Sequence, residues 1–512
     1  MFDLNTILMA VGLLLLTWDC IEVGRNDAAN LVNGVFGARV MRRRTAVWLA
    51  GVAVILGASF ASPVMETARR GIFDPGQFTL QQALVVYITV YIVDTLLLYT
   101  YSAFGMPVST TASLIFELVG AAIAVGWSIQ IIHWPQVGTV LNAIGMSIVL
   151  SGVAGFMIQR MFRAAIQDEH TDHLRVVLHG PWIAGLMLTW LAWFMVLKGM
   201  KALPWIGALR ERMVAGYGIG VSLLLAWAAC TLLIHVLISL FQERVTRHLF
   251  SATAILGMLC LSFAFGQNDL ANCASPGLSA FWLWRHAEQS TAAATRVPLP
   301  IWALFICGLL MVMGMATRGA QRVTRAAVNT GSQFDHIALY APGWCRALAR
   351  LFLRPGRQAA ELAPPPQRDP RGKRLHFDPL RASVIMAVSA SVIAFASSSG
   401  LPVSTTYVTF AAVVATALGD RTMARGDADL KIGRAIWVVF SWFTAALIAM
   451  LCSAGVALML LKLGLTGLII CLAANFALRR YVRCCADRHE LRYHPVLPAP
   501  ANGADPEYDD GP

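Results

Sequence analysis

Charge is what this chain has least of. Of its 512 residues, 13% are charged and 57% hydrophobic, and the mean hydropathy is +0.63. A soluble domain carries about twice that charge, so the scarcity excludes an ordinary soluble fold. Long apolar runs are spaced along nearly the whole sequence. A membrane span needs ~20 mostly apolar residues, and Leu80 to Ala103 and Val214 to Phe241 meet that, with Asp94 as an acid inside the former. Other absences narrow the reading further. There is no C-x-x-C spacing, and most of the ten Cys, such as Cys20, Cys230, Cys260, Cys307, Cys452 and Cys471, lie inside apolar runs. They read as small buried hydrophobes, not metal ligands or a disulfide framework. No P-loop appears, which argues against ATP-driven pumping by this chain alone. The start, Met1-Phe2-Asp3, has no positive region and no cleavage site follows, so residues 4–23 are expected to be a retained first span. The net charge of +12 sits largely as Arg at the ends of apolar runs. That is positive-inside bias, and nucleic acid is not an expected partner.

About fifteen apolar segments follow, near 5–23, 28–40, 46–64, 80–103, 108–127, 137–160, 181–197, 214–241, 250–265, 270–284, 299–316, 380–398, 403–419, 433–461 and 463–479. Several, notably 28–40 and 270–284, are too short to cross alone. The expected class is an all-α polytopic membrane protein with about 10–12 transmembrane spans. Residues 317–379, Arg- and Pro-rich, and 483–512, Pro-rich with an acidic end, lack an apolar period and are expected to hold little packed structure.

The most informative feature is an internal repeat. Gly24-Arg25-Asn26-Asp27-Ala28-Ala29-Asn30 recurs as Gly266-Gln267-Asn268-Asp269-Leu270-Ala271-Asn272, and Gly105-Met106-Pro107-Val108-Ser109-Thr110-Thr111 recurs as Gly400-Leu401-Pro402-Val403-Ser404-Thr405-Thr406. The order is the same in both halves. The chain divides into a first membrane repeat (1–165), linking segments (181–241), and a second repeat in two parts (250–316 and 380–461). The basic loop 317–379, expected to be cytoplasmic, separates those parts, and a last span (463–482) and a disordered tail (483–512) close the chain. Basic loops alternate differently in the two halves. Arg39, Arg42, Arg43 and Arg44 follow the second segment of the first half, whereas the 317–379 loop, one segment later in the second half, holds eleven Lys or Arg. The halves therefore face opposite ways, an inverted-topology repeat. The side of the N-terminus stays open.

Each Asn-Asp motif ends one apolar run and opens a shorter one, which predicts a broken or re-entrant helix at membrane depth, tolerated only where protein or water covers it. Asp27 and Asp269 are intramembrane carboxylates, hence functional candidates, and Asn30 and Asn272 lie one turn on. Gly then Pro ends a helix, and Pro107 or Pro402 is expected to open the next at its first position. The Ser and Thr hydroxyls then join free N–H groups at a helix N-terminus, an anion site. Two such half-helices face to face would replace an oxyanion's hydration, and the carboxylates would hold Na⁺ or a proton. Either motif seen once reads equally as a helix cap or as hydroxyl glue between helices. Two copies of both, at matched places, favour the site.

Both motif pairs resemble the signatures of the inorganic phosphate transporter family, the sodium- or proton-coupled phosphate permeases, whose halves each carry Gly-Ala-Asn-Asp-Val-Ala-Asn and Pro-Val-Ser-Thr-Thr-His. The likeness extends through Met65-Glu66-Thr67-Ala68-Arg69-Arg70-Gly71-Ile72 and covers about residues 10–160 and 250–460. It implies a dimeric secondary transporter in the bacterial plasma membrane, without a resident cofactor, importing phosphate. Asn26, Asn30, Ser109, Thr110, Thr111, Asn268, Asn272, Ser404, Thr405 and Thr406 would bind phosphate, and Asp27, Asp269 and Asp94 the coupling Na⁺ or H⁺. The departures are Arg25 and Gln267 in place of a small residue, Ala112 and Tyr407 in place of the His, and Ser389 at the position matching Asp94. Arg25 is read as a partner for Asp27, an anion ligand, or a side chain snorkelling to the interface. These losses leave the coupling ion open and keep sulfate as a second substrate.

Weaker candidates are Glu169, His170, Asp172, His173 and His179 in a polar loop, and Glu117, Asp19 and Glu22 within spans. Trp48, Trp127, Trp134, Trp182, Trp190 and Trp193 suit interfacial belts. Competing classes are an intramembrane aspartyl hydrolase with Asp27 and Asp269 as its dyad, and a channel. A dyad needs no duplicated hydroxyl motif, and channels build pores from several subunits.

Overall fold

Apolar runs this long leave the backbone one way to satisfy itself without water, which is the α-helix. In the computed structural model, residues 3–61, 72–168, 172–201, 203–286, 300–334, 336–337, 339–353, 375–424 and 426–493 are described, and among them the secondary structure is helical apart from one isolated bridge, Phe73 to Ile132. The first half holds α1 (Leu4–Gly37), α2 (Arg43–Ala58), α3 (Leu80–Ala103), α4 (Thr110–Gly126) and α5 (Trp134–Ala165). Then come α6 (His173–Leu191), which runs on into a wider turn over Ala192–Gly199, and α7 (Pro204–Phe241). The second half holds α8 (Glu243–Arg285), α9 (Ile301–Met315), α10 (Arg318–Thr330), α11 (Gly343–Phe352), α12 (Pro379–Ser398), α13 (Thr405–Gly419) and α14 (Ala428–Tyr493). Among the described residues, eight helices are long and apolar enough to cross a membrane, or nine if the bent pair α9 and α10 is one span. Helix α14, bent at Gly464, has length for two crossings. The chain is thus an integral membrane protein. The outer faces of α5 and α7 carry exposed Met146, Val149, Val153, Leu224, Leu232 and Leu233, as a lipid-facing surface requires.

Helices α3 and α4 form a hairpin. The Phe73–Ile132 bridge, with His133 N–H donating to Ile72 O, brings the chain entering α3 beside the chain leaving α4. Helices α12 and α13 form a second hairpin. Its outer ends are tied by Arg163 of α5, which donates to Asp378 ahead of α12 at 2.5 Å and to Asp420 behind α13 at 2.9 Å. The two hairpins insert from opposite ends of α1. At one end Gly12 packs near Ile88 of α3, and at the other His376 N–H donates to Gly37 O. Their tips are Gly105-Met106-Pro107 and Gly400-Leu401-Pro402, and the residues just after them, Val108 and Val403, lie in the interior against the opposite hairpin. Gly105 and Gly400 have φ of +64° and +70°, a region that disfavours side chains.

Four expectations are corrected. First, neither Asn-Asp motif breaks its helix: segments 5–23 and 28–40 are both in α1, and 250–265 and 270–284 are both in α8. The motif's leading glycine serves close packing instead. A Cβ on Gly24 would stand 1.9 Å from Met311 O, and one on Gly266 would stand 2.2 Å from Val54 O. These are small-residue helix crossings. Second, the proline is not the first helical residue. Helices α4 and α13 begin at Thr110 and Thr405, with Ser109 and Ser404 as N-caps accepting from Ala112 N–H and Tyr407 N–H. Third, parts of the basic loop are packed, residues 318–334 and 375–378 among them. Helix α10 buries Ala320, Val323, Thr324, Ala327 and Val328, and α11 follows. Fourth, residues 483–493 continue α14 as helix. Residues 354–374 and 494–512, Glu169, His170 and the resemblance segment 65–71 lie outside the described residues.

Candidate functional site

A hairpin tip leaves backbone N–H and C=O groups with no helical partner, and inside a membrane each must find one. The two Asn residues ahead of the aspartates supply them. Asn26 Nδ2 donates to Val108 O at 2.7 Å, and Val108 N–H donates to Asn26 Oδ1 at 3.4 Å. Asn268 does the same in the second half, with Nδ2 to Val403 O at 2.6 Å and Val403 N–H to Oδ1 at 3.1 Å. A carboxamide is the one neutral side-chain group that presents a donor and an acceptor side by side. Each Asn thus stands in for the missing backbone partner at its tip. Ser102 also donates to Asn26 Oδ1, at 3.3 Å.

The aspartates reach across the repeat. Thr406 of the second half donates to Asp27 Oδ1 at 2.7 Å, and Thr110 of the first half donates to Asp269 Oδ1 at 2.8 Å. Asn30 Nδ2 donates to Asp27 Oδ1 at 2.8 Å and to Thr406 Oγ1 at 2.9 Å. Asn272 Nδ2 donates to Thr111 Oγ1 at 2.8 Å and to Asp269 Oδ1 at 3.2 Å. Thr111 donates to Val403 O at 2.9 Å, and Thr406 Oγ1 has Val108 O at 3.2 Å as its alternative acceptor, so each hydroxyl run also lies against the opposite tip. Asn26, Asp27, Asn30, Asn268, Asp269, Asn272 and the six hydroxyl residues Ser109, Thr110, Thr111, Ser404, Thr405 and Thr406 are all at most 4% exposed. The cluster is closed to both sides. Asp27 Oδ2, Asp269 Oδ2, Asn272 Oδ1 and Thr405 Oγ1 have no hydrogen-bond partner among the described residues. Such orphans in a buried cluster point to a ligand.

Asp94 is not in this crossing. It accepts from Ser113 at 2.5 Å, one turn along α4, and Ser113 also meets Glu117 at 2.9 Å. Ser389 is buried with its hydroxyl unpartnered. Arg25 makes no ion pair with Asp27 among the described residues and pairs with another acid. Its guanidinium bonds Glu22 at 2.8 Å, 5.3 Å from the Tyr99 ring centroid. Glu22 also accepts from Trp18 and Arg479. Two residues apart on a helix, Arg25 and Asp27 leave on different faces. In the polar loop, Asp172 pairs with Arg175 and His179 with Trp182.

Tyr91 escaped sequence reasoning. Pro276 interrupts α8 one turn past Asn272. The Tyr91 hydroxyl enters the opened ladder there, donating to Cys273 O at 2.8 Å and accepting from Gly277 N–H at 2.5 Å. A proline four residues after Asn272 was the available signal.

The sequence model of the phosphate transporter family matches residues 23–332 and 371–453, which includes every residue of the crossing. The chain belongs to the phosphate transporter family. Its relatives include a candidate phosphate permease of Pyrococcus horikoshii, 26% identical over 432 residues, which are 83% of this chain and 91% of that one. Another, from Thermococcus kodakarensis, is 25% identical over 455 residues, 88% and 96% of the two chains. Among solved structures, one described as "The sodium-dependent phosphate transporter" is similar in fold, with TM-score 0.64 and 20% identity over 90% of this chain and all of that one. The family is one of transporters, not enzymes, which sets the hydrolase reading aside.

Proposed function

We propose that this chain imports inorganic phosphate across a bacterial plasma membrane, driven by Na⁺ or H⁺, by alternating access. The observation that carries the reading is the pair of crossed bonds, Thr406 to Asp27 and Thr110 to Asp269. They set two helix N-termini and six hydroxyls against two carboxylates in one closed cluster. The helix N-termini suit an oxyanion. The carboxylates have no cationic partner in the hydrogen bonds they make, so protons or a hard cation must offset them when an anion enters. Carboxylate, carboxamide and hydroxyl oxygens, with Oδ2 of each Asp unpartnered, fit Na⁺ as a co-transported ion.

Transport requires the closed cluster to open to one side at a time. Helix α10 is one of its covers, because Val323 and Ala327 pack on Ala29, next to the Asn30 turn. The remaining expectations, a homodimer and sulfate as a second substrate, are carried as parts of the same proposal. Uptake of radiolabelled phosphate into proteoliposomes tests it, with a Na⁺ or pH gradient imposed in turn and sulfate as competitor. Wild type accumulates phosphate under one of the gradients, and Asp269→Asn loses that accumulation. Equal gradient-driven flux in the two proteins refutes the coupling role, and flux of sulfate alone refutes the substrate.

A further inference from the structure

A second cluster of guanidinium groups lies outside the crossing. A pocket at the first hairpin tip is lined by Phe104, Gly105, Arg322, Arg325, Arg434 and Glu490, among others. Gly105 packs against α10, its Cβ direction meeting Ala326 at 3.1 Å and Arg322 O at 3.3 Å. Arg434, 3% exposed, donates to Gly105 O at 2.8 Å and Tyr340 O at 3.1 Å, and its Nε has no partner among the described residues. No carboxylate pairs with it in any ion pair of the described residues. A buried guanidinium served only by carbonyls is short of negative charge.

Two carboxylates pair with the pocket's arginines, both from the last turns of α14: Glu490 in the lining and Asp487 outside it. Arg322 bonds Asp487 and Glu490, each at 2.6 Å, and Arg325 lies 3.6 Å from Glu490. Asp487 is about half exposed and Glu490 about a quarter. Among the described residues, the pocket's three guanidiniums are thus paired with only two acids, both water-accessible. A tetrahedral divalent oxyanion presents the same acceptor chemistry as the two acids and suits a pocket lined by three guanidiniums.

We propose that this pocket is a second oxyanion site, at the tip of the first hairpin, in which a phosphate group displaces Asp487 and Glu490 from Arg322 and Arg325 and docks beside Arg434. It deepens the phosphate reading above and rests on it. The two acids are tethered, and tethering acts as a local concentration of about millimolar. The site is accordingly weak, filling at millimolar phosphate. It lies against α10, which packs on Ala29 one residue from Asn30, so release of the α14 acids from Arg322 and Arg325 frees contacts that hold that helix.

The test uses the full chain in phosphatidylcholine nanodiscs. Binding of radiolabelled inorganic phosphate is followed by equilibrium dialysis from micromolar to millimolar concentration. Wild type shows a tight class and a weak class of sites. Asp487→Asn with Glu490→Gln tightens the weak class about tenfold and leaves the tight class unchanged. Arg322→Gln with Arg325→Gln removes the weak class alone. A weak class indifferent to both double variants, or none even in Asp487→Asn/Glu490→Gln, overturns the proposal. Loss of the tight class in wild type, with the weak class still responding, instead overturns the substrate reading of the crossing. A repeat with phosphatidylglycerol in the disc separates two sources of the phosphate group. Weak-class binding abolished there, with the lipid retained by Asp487→Asn/Glu490→Gln, assigns the site to a lipid headgroup. Binding unchanged assigns it to the free anion.

Discussion

Replacing Asn268 by Leu puts opposite signs on two views of the Asn-Asp motif. Leu shares the branched heavy-atom skeleton of Asn but is larger, with a better helix propensity and no polar group to bury. If Asn268 only faced apolar side chains, Asn268→Leu would be limited by the fit of its extra volume, and a variant that fits would be neutral or stabilising. In the structure its carboxamide is the partner of both Val403 N–H and Val403 O, at 3.1 and 2.6 Å, at a fully buried position. Leu leaves both backbone groups unpaired. Each unpaired buried group costs about 1–3 kcal/mol, although hydrogen bonds between membrane helices average nearer ~0.6 kcal/mol by double-mutant cycles. The expected loss is therefore about 1–6 kcal/mol, against a gain of a few tenths from helix propensity. Unfolding of the purified protein by SDS titration reads the difference. Asn268→Asp keeps the acceptor for Val403 N–H but sets an oxygen against Val403 O, and is expected to be destabilised as well. An Asn268→Leu protein as stable as wild type would refute the account of how the tips are held.

Thr406→Val removes the hydroxyl that Asp27 accepts at 2.7 Å. A hydrogen bond to a charged group is worth about 1.5–3 kcal/mol, so phosphate uptake falls roughly 10- to 100-fold while size-exclusion behaviour stays that of wild type. Gly24→Ala drives a methyl to 1.9 Å from Met311 O; α1 and α9 must separate, and the thermal midpoint and yield of monodisperse protein drop sharply. His376, ahead of α12, is buried 4.6 Å from the Phe334 ring. Burial and then the Arg39 charge push its pKa from 6.5 down to about 3. Its stabilising contribution is present above pH 6.5 and is lost as pH falls toward 3. His376→Asn is expected to flatten part of the decline in thermal midpoint over that window, and an unchanged decline would count against the buried neutral imidazole.

The sequence carried the class, the repeat and the twelve residues of the crossing, because apolar run length and duplicated polar motifs are local signals. It misplaced the interruption. Glycine before Asn-Asp marks close helix contact as readily as a break, and only the neighbour, Met311 O or Val54 O, separates the two. The exchange of partners between halves, Thr406 with Asp27 and Thr110 with Asp269, has no local signature, since those residues are 379 and 159 positions apart. Helix α10 was legible in principle: Ala320, Val323, Thr324, Ala327 and Val328 follow helical spacing, but arginines between them obscured it. The fate of Arg25 likewise depended on Arg479 and Tyr99, far along the chain or on another helix.

The most direct measurement is a high-resolution structure of the protein in saturating phosphate. The account predicts tetrahedral density between the N-termini of α4 and α13, within hydrogen-bonding distance of hydroxyls from both halves. Tetrahedral density elsewhere, with Thr110 and Thr406 still bonded to Asp269 and Asp27 and nothing between the two helix ends, would contradict it.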